Sequence, residues 1–291
     1  MILSIIKRLF TPLAIACLLF FAWESRQSLA DILSSSRPLA LLLSVLTWVM
    51  MHVLAPAFAT IVFKARNFPL SFRTAAEIHV RNLPARYIPG GIWHTVGRVA
   101  ALRNLGAKQS DIAVFVFLEN VLAACTAFLL GGCIVAWFRD MQGWGQIAAF
   151  CVAGSVFFLL MSPFILRFRI LKGAGAFPIR DYLGSILLIS ISWCVGAAAF
   201  VAYLSAFPEL QLTASPLEIG GNYLFSWAVG FVSLFAPQGV GIFEVVLAEL
   251  MRGSGTLSSF AALIAGFRLV ILAADSVAYG ALKLLTDSHM N

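Results

Sequence analysis

Seven long apolar runs punctuate the chain, at roughly residues 9–23, 38–63, 110–138, 144–166, 182–207, 217–236 and 257–285. A helix that crosses the hydrocarbon core of a bilayer needs about 20 such residues. Most of the runs meet that length; the first is short and contains Pro12. Two further stretches are apolar but interrupted, 84–107 around Tyr87-Ile88-Pro89-Gly90-Gly91-Ile92-Trp93, and 237–252 beginning Pro237-Gln238-Gly239-Val240-Gly241-Ile242-Phe243-Glu244. Pro and Gly at membrane depth free backbone groups, which is tolerated only where protein or water satisfies them. Paired broken segments in the two halves of a chain are the best sequence pointer to a transporter's binding site.

The polar segments between the runs alternate in charge. Residues 64–109 carry Lys64, Arg66, Arg73, Arg81, Arg86, Arg98, Arg103 and Lys108 against one acid, Glu77. The segment after the fourth run carries Arg167, Arg169, Lys172 and Arg180, whereas 208–216 has Glu209 and no basic residue. Basic loops stay on the cytoplasmic side, so the N-terminus, 64–109 and 167–181 are expected there. The side of the C-terminus depends on whether 237–252 dips in and returns or crosses. Lys7-Arg8 before an apolar run is signal-peptide-like, but no Ala-x-Ala pattern stands near Trp23-Glu24-Ser25, so a retained first helix is expected.

Composition sharpens this picture. Apolar residues make up 61% of the 291 and charged residues only 11%, with mean hydropathy +0.94. Such a chain cannot cover itself with polar surface, which excludes a soluble enzyme, a disordered protein and a secreted disulfide scaffold. The expected fold is an all-α polytopic membrane protein, a single integral membrane domain over 1–291. It would have about seven to eight transmembrane helices and two Pro/Gly-broken, re-entrant-like segments in two pseudo-repeated halves. The net charge of +7 suits anionic lipid headgroups better than nucleic acid, since no polar domain carries a basic face. Cys17, Cys125, Cys133, Cys151 and Cys194 lie in apolar runs without a CxxC, and His52, His79, His94 and His289 lack metal-ligand spacing. No metal or cofactor is expected.

Ionisable side chains at helix centres cost about 2.5–3.5 kcal/mol on insertion scales, so each needs a partner or a role. Glu119 falls within the third run, Arg268 and Asp275 within the last, and Glu244 in the second break. Arg268 and Asp275 are seven apart and share a helix face, where mutual neutralisation within the bundle is the alternative to a functional role. His94 and Arg98 share a face after the first break. Glu249 and Arg252 have the spacing of a local ion pair. Trp23, Trp93, Trp137 and Trp144 are candidate interface anchors. A helix starting just after Gly90-Gly91 aims free N–H groups at its N-terminus, an anion site to which Arg86 and Arg98 add cationic donors. The second break repeats the device with Gly-x-Gly, and there Glu244 would attract an ammonium or a proton. Setting Pro89 on Pro237 places Gly91 on Gly239 at an offset of 148, and the order of elements matches in both halves. No HExxH, GxSxG or Walker pattern occurs.

Arg86-Tyr87-Ile88-Pro89-Gly90-Gly91-Ile92-Trp93-His94-Thr95-Val96-Gly97-Arg98, together with Pro237, Gly239, Gly241 and Glu244 and with Arg268 downstream, resembles the lysylphosphatidylglycerol synthase transmembrane-region family. These are flippase-like bacterial membrane proteins, and the resemblance spans roughly 5–285. In fused members an aminoacyl-transferase domain follows; these 291 residues contain none, so the translocase role, rather than lysyl-lipid synthesis, is what the resemblance implies.

The expected function is therefore an inner-membrane translocase, flippase- or scramblase-like, or its accessory subunit. Its cargo would be a phospholipid or a polyprenyl-phosphate-linked glycan precursor in cell envelope biogenesis, moved by scrambling or ion coupling. An integral-membrane lipid or sugar transferase subunit, and a non-transporting scaffold for glycosyltransferases or other envelope-synthesis partners, stand as alternatives. Candidate residues are Arg86, Pro89, Gly90, Gly91, Trp93, His94, Arg98, Glu119, Pro237, Gly239, Gly241, Glu244, Arg268 and Asp275; none is expected to be catalytic. The orientation is testable in a cysteine-free background. Cysteines replacing Arg66 or Lys172 should react only with a membrane-permeant thiol reagent, and one replacing Glu209 with an impermeant reagent from outside. Outside labelling at position 172 would reverse the orientation.

Overall fold

The computed structural model describes Trp23 and residues 34–87, 92–166, 177–210, 212–233, 241–251 and 257–287. All regular structure among them is helical. In chain order these helices are α1 (Pro38–Val49), α2 (Met51–Ala65), α3 (Phe72–Arg81), α4 (Trp93–Asn104), α5 (Gln109–Phe138), α6 (Trp144–Ile165), α7 (Ile179–Ser205), α8 (Pro216–Val232), α9 (Ile242–Leu250) and α10 (Leu257–Asp287), with 3₁₀ turns at Leu83–Tyr87 and Pro208–Leu210. Five stretches are long and apolar enough to cross a membrane: Pro38–Ala65, Gln109–Phe138, Trp144–Ile165, Ile179–Ser205 and Leu263–Leu285. Large apolar side chains such as Leu39, Phe150, Phe157, Leu160, Leu187 and Leu269 point outward on these helices. A water-soluble fold would bury them; here they meet lipid. The chain is a multi-pass α-helical membrane protein.

Two sequence expectations change in detail. The run at 217–236 folds as α8, which ends at Val232 after 17 residues. That is about 26 Å, short of the roughly 30 Å core. Residues Ile219 to Ser226 are buried without interruption, so protein surrounds the middle of α8, while Leu217, Phe231 and Val232 toward its ends are exposed. The run at 9–23 lies outside the described residues except for Trp23. The segment 64–109 is built rather than open, with α3, the 3₁₀ turn and α4 occupying most of it. Its Arg66 is buried against Asp111 at 2.9 Å. Exposed Arg81 or Arg103 is therefore the better labelling position.

By their internal contacts the residues form two compact units. The first comprises the described residues within Met1–Trp48, Ala127–Val152 and Gly196–Leu272. Tyr223 anchors its core, stacked on Phe200 at 4.8 Å and edge-on to Phe243 and Phe267 at 5.8 Å each. Phe225 fills a second cluster with Val135, Ala148, Val246 and Leu250. The α5–α8 seam closes on Gly131, where a Cβ would stand 2.5 Å from the Phe225 backbone nitrogen and 2.8 Å from the Gly221 carbonyl. Small residues let membrane helices approach this closely.

The second unit comprises the described residues within Val49–Thr126, Ala153–Val195 and Ala273–Asn291. Its aromatic core joins Phe115 to Phe58 and Phe63, at 5.9 and 5.4 Å. Val80 and Leu83 pack on Ala278 and Leu282. Ser71 caps α3 by accepting the Thr74 N–H. That fixes the helix start and turns Ala75, His79 and Val80 inward.

Gly131→Ala should lower the melting temperature of the detergent-solubilised protein through a loss of about 1–3 kcal/mol, the usual cost of overpacking. Gly154→Ala, whose Cβ would meet nothing within 4 Å, should melt like the parent. Equal melting of the two variants would contradict the seam.

Candidate functional site

Each unit holds one short helix, placed after a Pro/Gly break, whose buried charge is tied to the following long helix. In the second unit the helix is α4. Ile92 precedes it with no side-chain cap, and Trp93 opens it, 46% exposed. Arg98, a turn and a half further on, reaches Glu119 of α5 as a fork: Nη1 donates to Oε1 at 2.7 Å and Nη2 to Oε2 at 2.6 Å. The guanidinium carbon lies 5.4 Å from the Phe115 ring centroid, within cation–π range. The Arg98 side chain is 8% exposed and Glu119 26%, so the carboxylate is the more accessible partner. The Nε of Arg98 has no hydrogen-bond partner among the described residues.

In the first unit the helix is α9. Gly241 precedes it at φ 87°, in the left-handed region that glycine adopts without a Cβ penalty. Its N–H donates to Glu244 Oε2 at 2.7 Å, while Oε1 accepts from Arg268 of α10, Nε at 2.8 Å. Glu244 is fully buried. One carboxylate thus caps α9 and neutralises Arg268. At the other end of α9, the orphan Leu250 carbonyl accepts from Arg139 Nη2, and Arg139 is 3.5 Å from Glu218.

Asp275 does not pair with Arg268, contrary to the mutual neutralisation offered above. Seven residues of one helix separate them by about 10 Å, too far for contact, and each takes a nearer partner. Asp275 accepts from Tyr87 OH at 2.8 Å and from Arg86 Nη1 at 3.2 Å. His52 Nε2 stands 3.1 Å from Asp275 Oδ1, in ion-pair range although its ring N–H is poorly aligned for a hydrogen bond. The other ring nitrogen, Nδ1, meets His79 Nε2 at 3.2 Å, and the His79 ring abuts His94 edge-on at 5.6 Å. A cavity about the size of one water molecule adjoins His79 and Arg98, walled otherwise by apolar groups including Pro56 and Phe115.

No family model and no curated protein matches this chain.

The structure brings Arg86, His94, Arg98, Glu119 and Asp275 together in the second unit, and Gly241, Glu244 and Arg268 in the first. Pro89, Gly90, Gly91, Pro237 and Gly239 lie outside the described residues, as does Arg252, the expected partner of Glu249. His52, His79 and Tyr87 are members of the second-unit cluster that spacing did not single out. The available signal was a histidine inside the second apolar run and another on an amphipathic helix. Asp111, the buried partner of Arg66, was similarly readable as an acid at the start of the third run.

Burial first, then the Arg98 charge, holds the His79 pKa well below its ordinary value. The same causes bring His94 from 6.5 down to about 3. Burial and the Asp275 hydrogen bond push the Tyr87 hydroxyl up. A histidine that binds its proton more weakly when folded leaves stability intact above its unfolded pKa. The loss begins as pH falls below 6.5 and continues until the folded value, about 3 for His94, is reached. The melting temperature should therefore fall from neutral pH to about pH 5, and fall less in His79→Gln and His94→Gln. A parent melt that is flat over that interval would contradict the buried neutral histidines.

Proposed function

We propose that the protein is an inner-membrane translocase, flippase- or scramblase-like, or the accessory subunit of one, acting on a phospholipid or a lipid-linked glycan precursor. The observation that carries this reading is the Arg98–Glu119 fork. A guanidinium held in an apolar unit by a single carboxylate presents the geometry that also grips phosphate in bidentate fashion. Glu119 is the more exposed member, so a headgroup phosphate can take its place on Arg98 without Arg98 moving. Trp93 and the start of α4 stand on the same short helix, at the end where backbone N–H groups favour an anion.

The second unit's plan recurs in the first with the charges reversed. Arg98 on a short helix pairs with Glu119 on the next long helix, and Glu244 on a short helix pairs with Arg268. This supports reading the halves as a duplicated design. The resemblance to the lysylphosphatidylglycerol synthase transmembrane region, carried by Tyr87, Trp93, Gly97, Arg98 and Glu244, favours the same function. Membrane lipids or polyprenyl-phosphate-linked glycans would then be the partners.

The test is movement of a fluorescent phosphatidylglycerol in liposomes, read by its accessibility to dithionite. The parent should move it faster than empty vesicles. Arg98→Glu/Glu119→Arg should melt close to the parent, because the pair is restored. Its lipid movement should still fall by about tenfold or more, since a charge-assisted hydrogen bond to the phosphate contributes roughly 1.5–3 kcal/mol. Parent vesicles no faster than empty ones, or full activity in the swapped variant, would overturn the reading.

A further inference from the structure

Asp275, His52 and His79 come from α10, α2 and α3 of the second unit, and each is at least nine-tenths buried. Burying three titratable side chains at hydrogen-bonding distances is costly unless they satisfy one another. Their order in space is linear. His52 uses Nε2 toward Asp275 at 3.1 Å and Nδ1 toward His79 at 3.2 Å. Opposite edges of one ring face the two neighbours, so no single point lies within ligand reach of all three, and the arrangement is a wire rather than a chelate.

The network also fixes the tautomers. Asp275 is a carboxylate beside the Arg86 guanidinium, so the His52 nitrogen facing it carries the hydrogen. His52 Nδ1 is then the acceptor, and His79 Nε2 carries the hydrogen it receives. That leaves His79 Nδ1 as a bare acceptor, and it has no partner among the described residues. The far end of the wire reaches Tyr87, which donates to Asp275 and is 47% exposed. The near end, His79, borders the small cavity shared with Arg98.

We propose that Asp275, His52 and His79 form a proton relay that couples proton movement to the headgroup movement inferred above; only the cargo, not the relay, rests on that reading. A proton arriving at His79 Nδ1 releases the Nε2 proton to His52 Nδ1, and, once the His52 ring turns its N–H into line, the Nε2 proton passes to Asp275 Oδ1, 3.1 Å away. One proton enters and one is delivered, and only N–H and O–H bonds are made or broken. The charged and titratable groups facing His79 are Arg86 from the 3₁₀ turn, His94 and Arg98 from α4 and His52 from α2, while Asp275 of α10 acts on the neighbouring His94. Burial first, and then these cations, disfavour a proton on His79; a phosphate that takes the place of Glu119 on Arg98 adds negative charge beside that carboxylate and favours the proton. Binding of the two is then reciprocal.

The experiment uses the full chain in phosphatidylglycerol/phosphatidylcholine liposomes that enclose a pH-sensitive dye, with an inside-negative potential set by valinomycin and potassium. Fluorescent lipid movement is read on the same vesicles. The parent should acidify the lumen faster than empty vesicles, and His79→Gln should drop to the empty-vesicle rate. Millimolar imidazole should restore acidification in His79→Gly, which it would not do for a variant that had lost only packing. Parent vesicles as proton-tight as empty ones, parent-like acidification by His79→Gln, or loss without imidazole rescue would each overturn the relay. Lipid movement without proton movement would sink the relay and leave the translocase reading standing. Proton movement without lipid movement would do the reverse.

Discussion

An ionised side chain placed among apolar helices must find its opposite, and most of the site geometry follows from that constraint. Water is not there to solvate it, and removing one member of a buried pair costs about 3–5 kcal/mol. The chain meets the requirement with pairs drawn from separate helices: Arg66 with Asp111, Arg98 with Glu119, Arg268 with Glu244, and Arg86 with Asp275. Each pair acts as a tether as well as a neutralisation. α4 and α9, at 12 and 9 residues, are too short to span the core, and each is joined through one such tether to the long helix that follows it.

The tethers differ in how replaceable they are. Glu244 is enclosed on all sides and its second oxygen caps its own helix, so its bonds hold α9 in place. Glu119 is partly exposed and uses both oxygens on one guanidinium, so another planar or tetrahedral oxyanion can compete for it. On the proposed reading the same residue types in the same plan serve different ends: a fixed brace in the first unit and an exchangeable clasp in the second. The histidine wire beside Arg98 places a titratable acceptor next to that clasp.

The long elements were legible in the sequence because their signal is local. A run of about 20 apolar residues specifies a membrane helix whatever surrounds it, and α5, α6, α7 and α10 fall close to the expected runs. Both broken segments were legible too, with α4 and α9 starting where Pro and Gly interrupt the run. α8 was less legible because a helix buried in protein and one bathed in lipid are equally apolar. The residues that carry charge at depth were found one by one, but their pairings were not. Arg98 lies 21 residues from Glu119, and Asp275 lies 189 from Arg86; only packing brings such pairs together. His52 and His79 lacked metal-ligand spacing and were not joined to the site for the same reason, since a spacing of 27 residues has no helical meaning.

The Arg98–Glu119 pair is central to the site as a desolvated, strongly coupled interaction rather than a surface contact. A double-mutant cycle measures that directly: Arg98→Met, Glu119→Gln and the double variant, unfolded reversibly in lipid–detergent micelles beside the parent. A desolvated pair should give a coupling energy of about 2 kcal/mol or more, toward the upper end of the range for residues in contact. A coupling within about 0.5 kcal/mol of zero would contradict it.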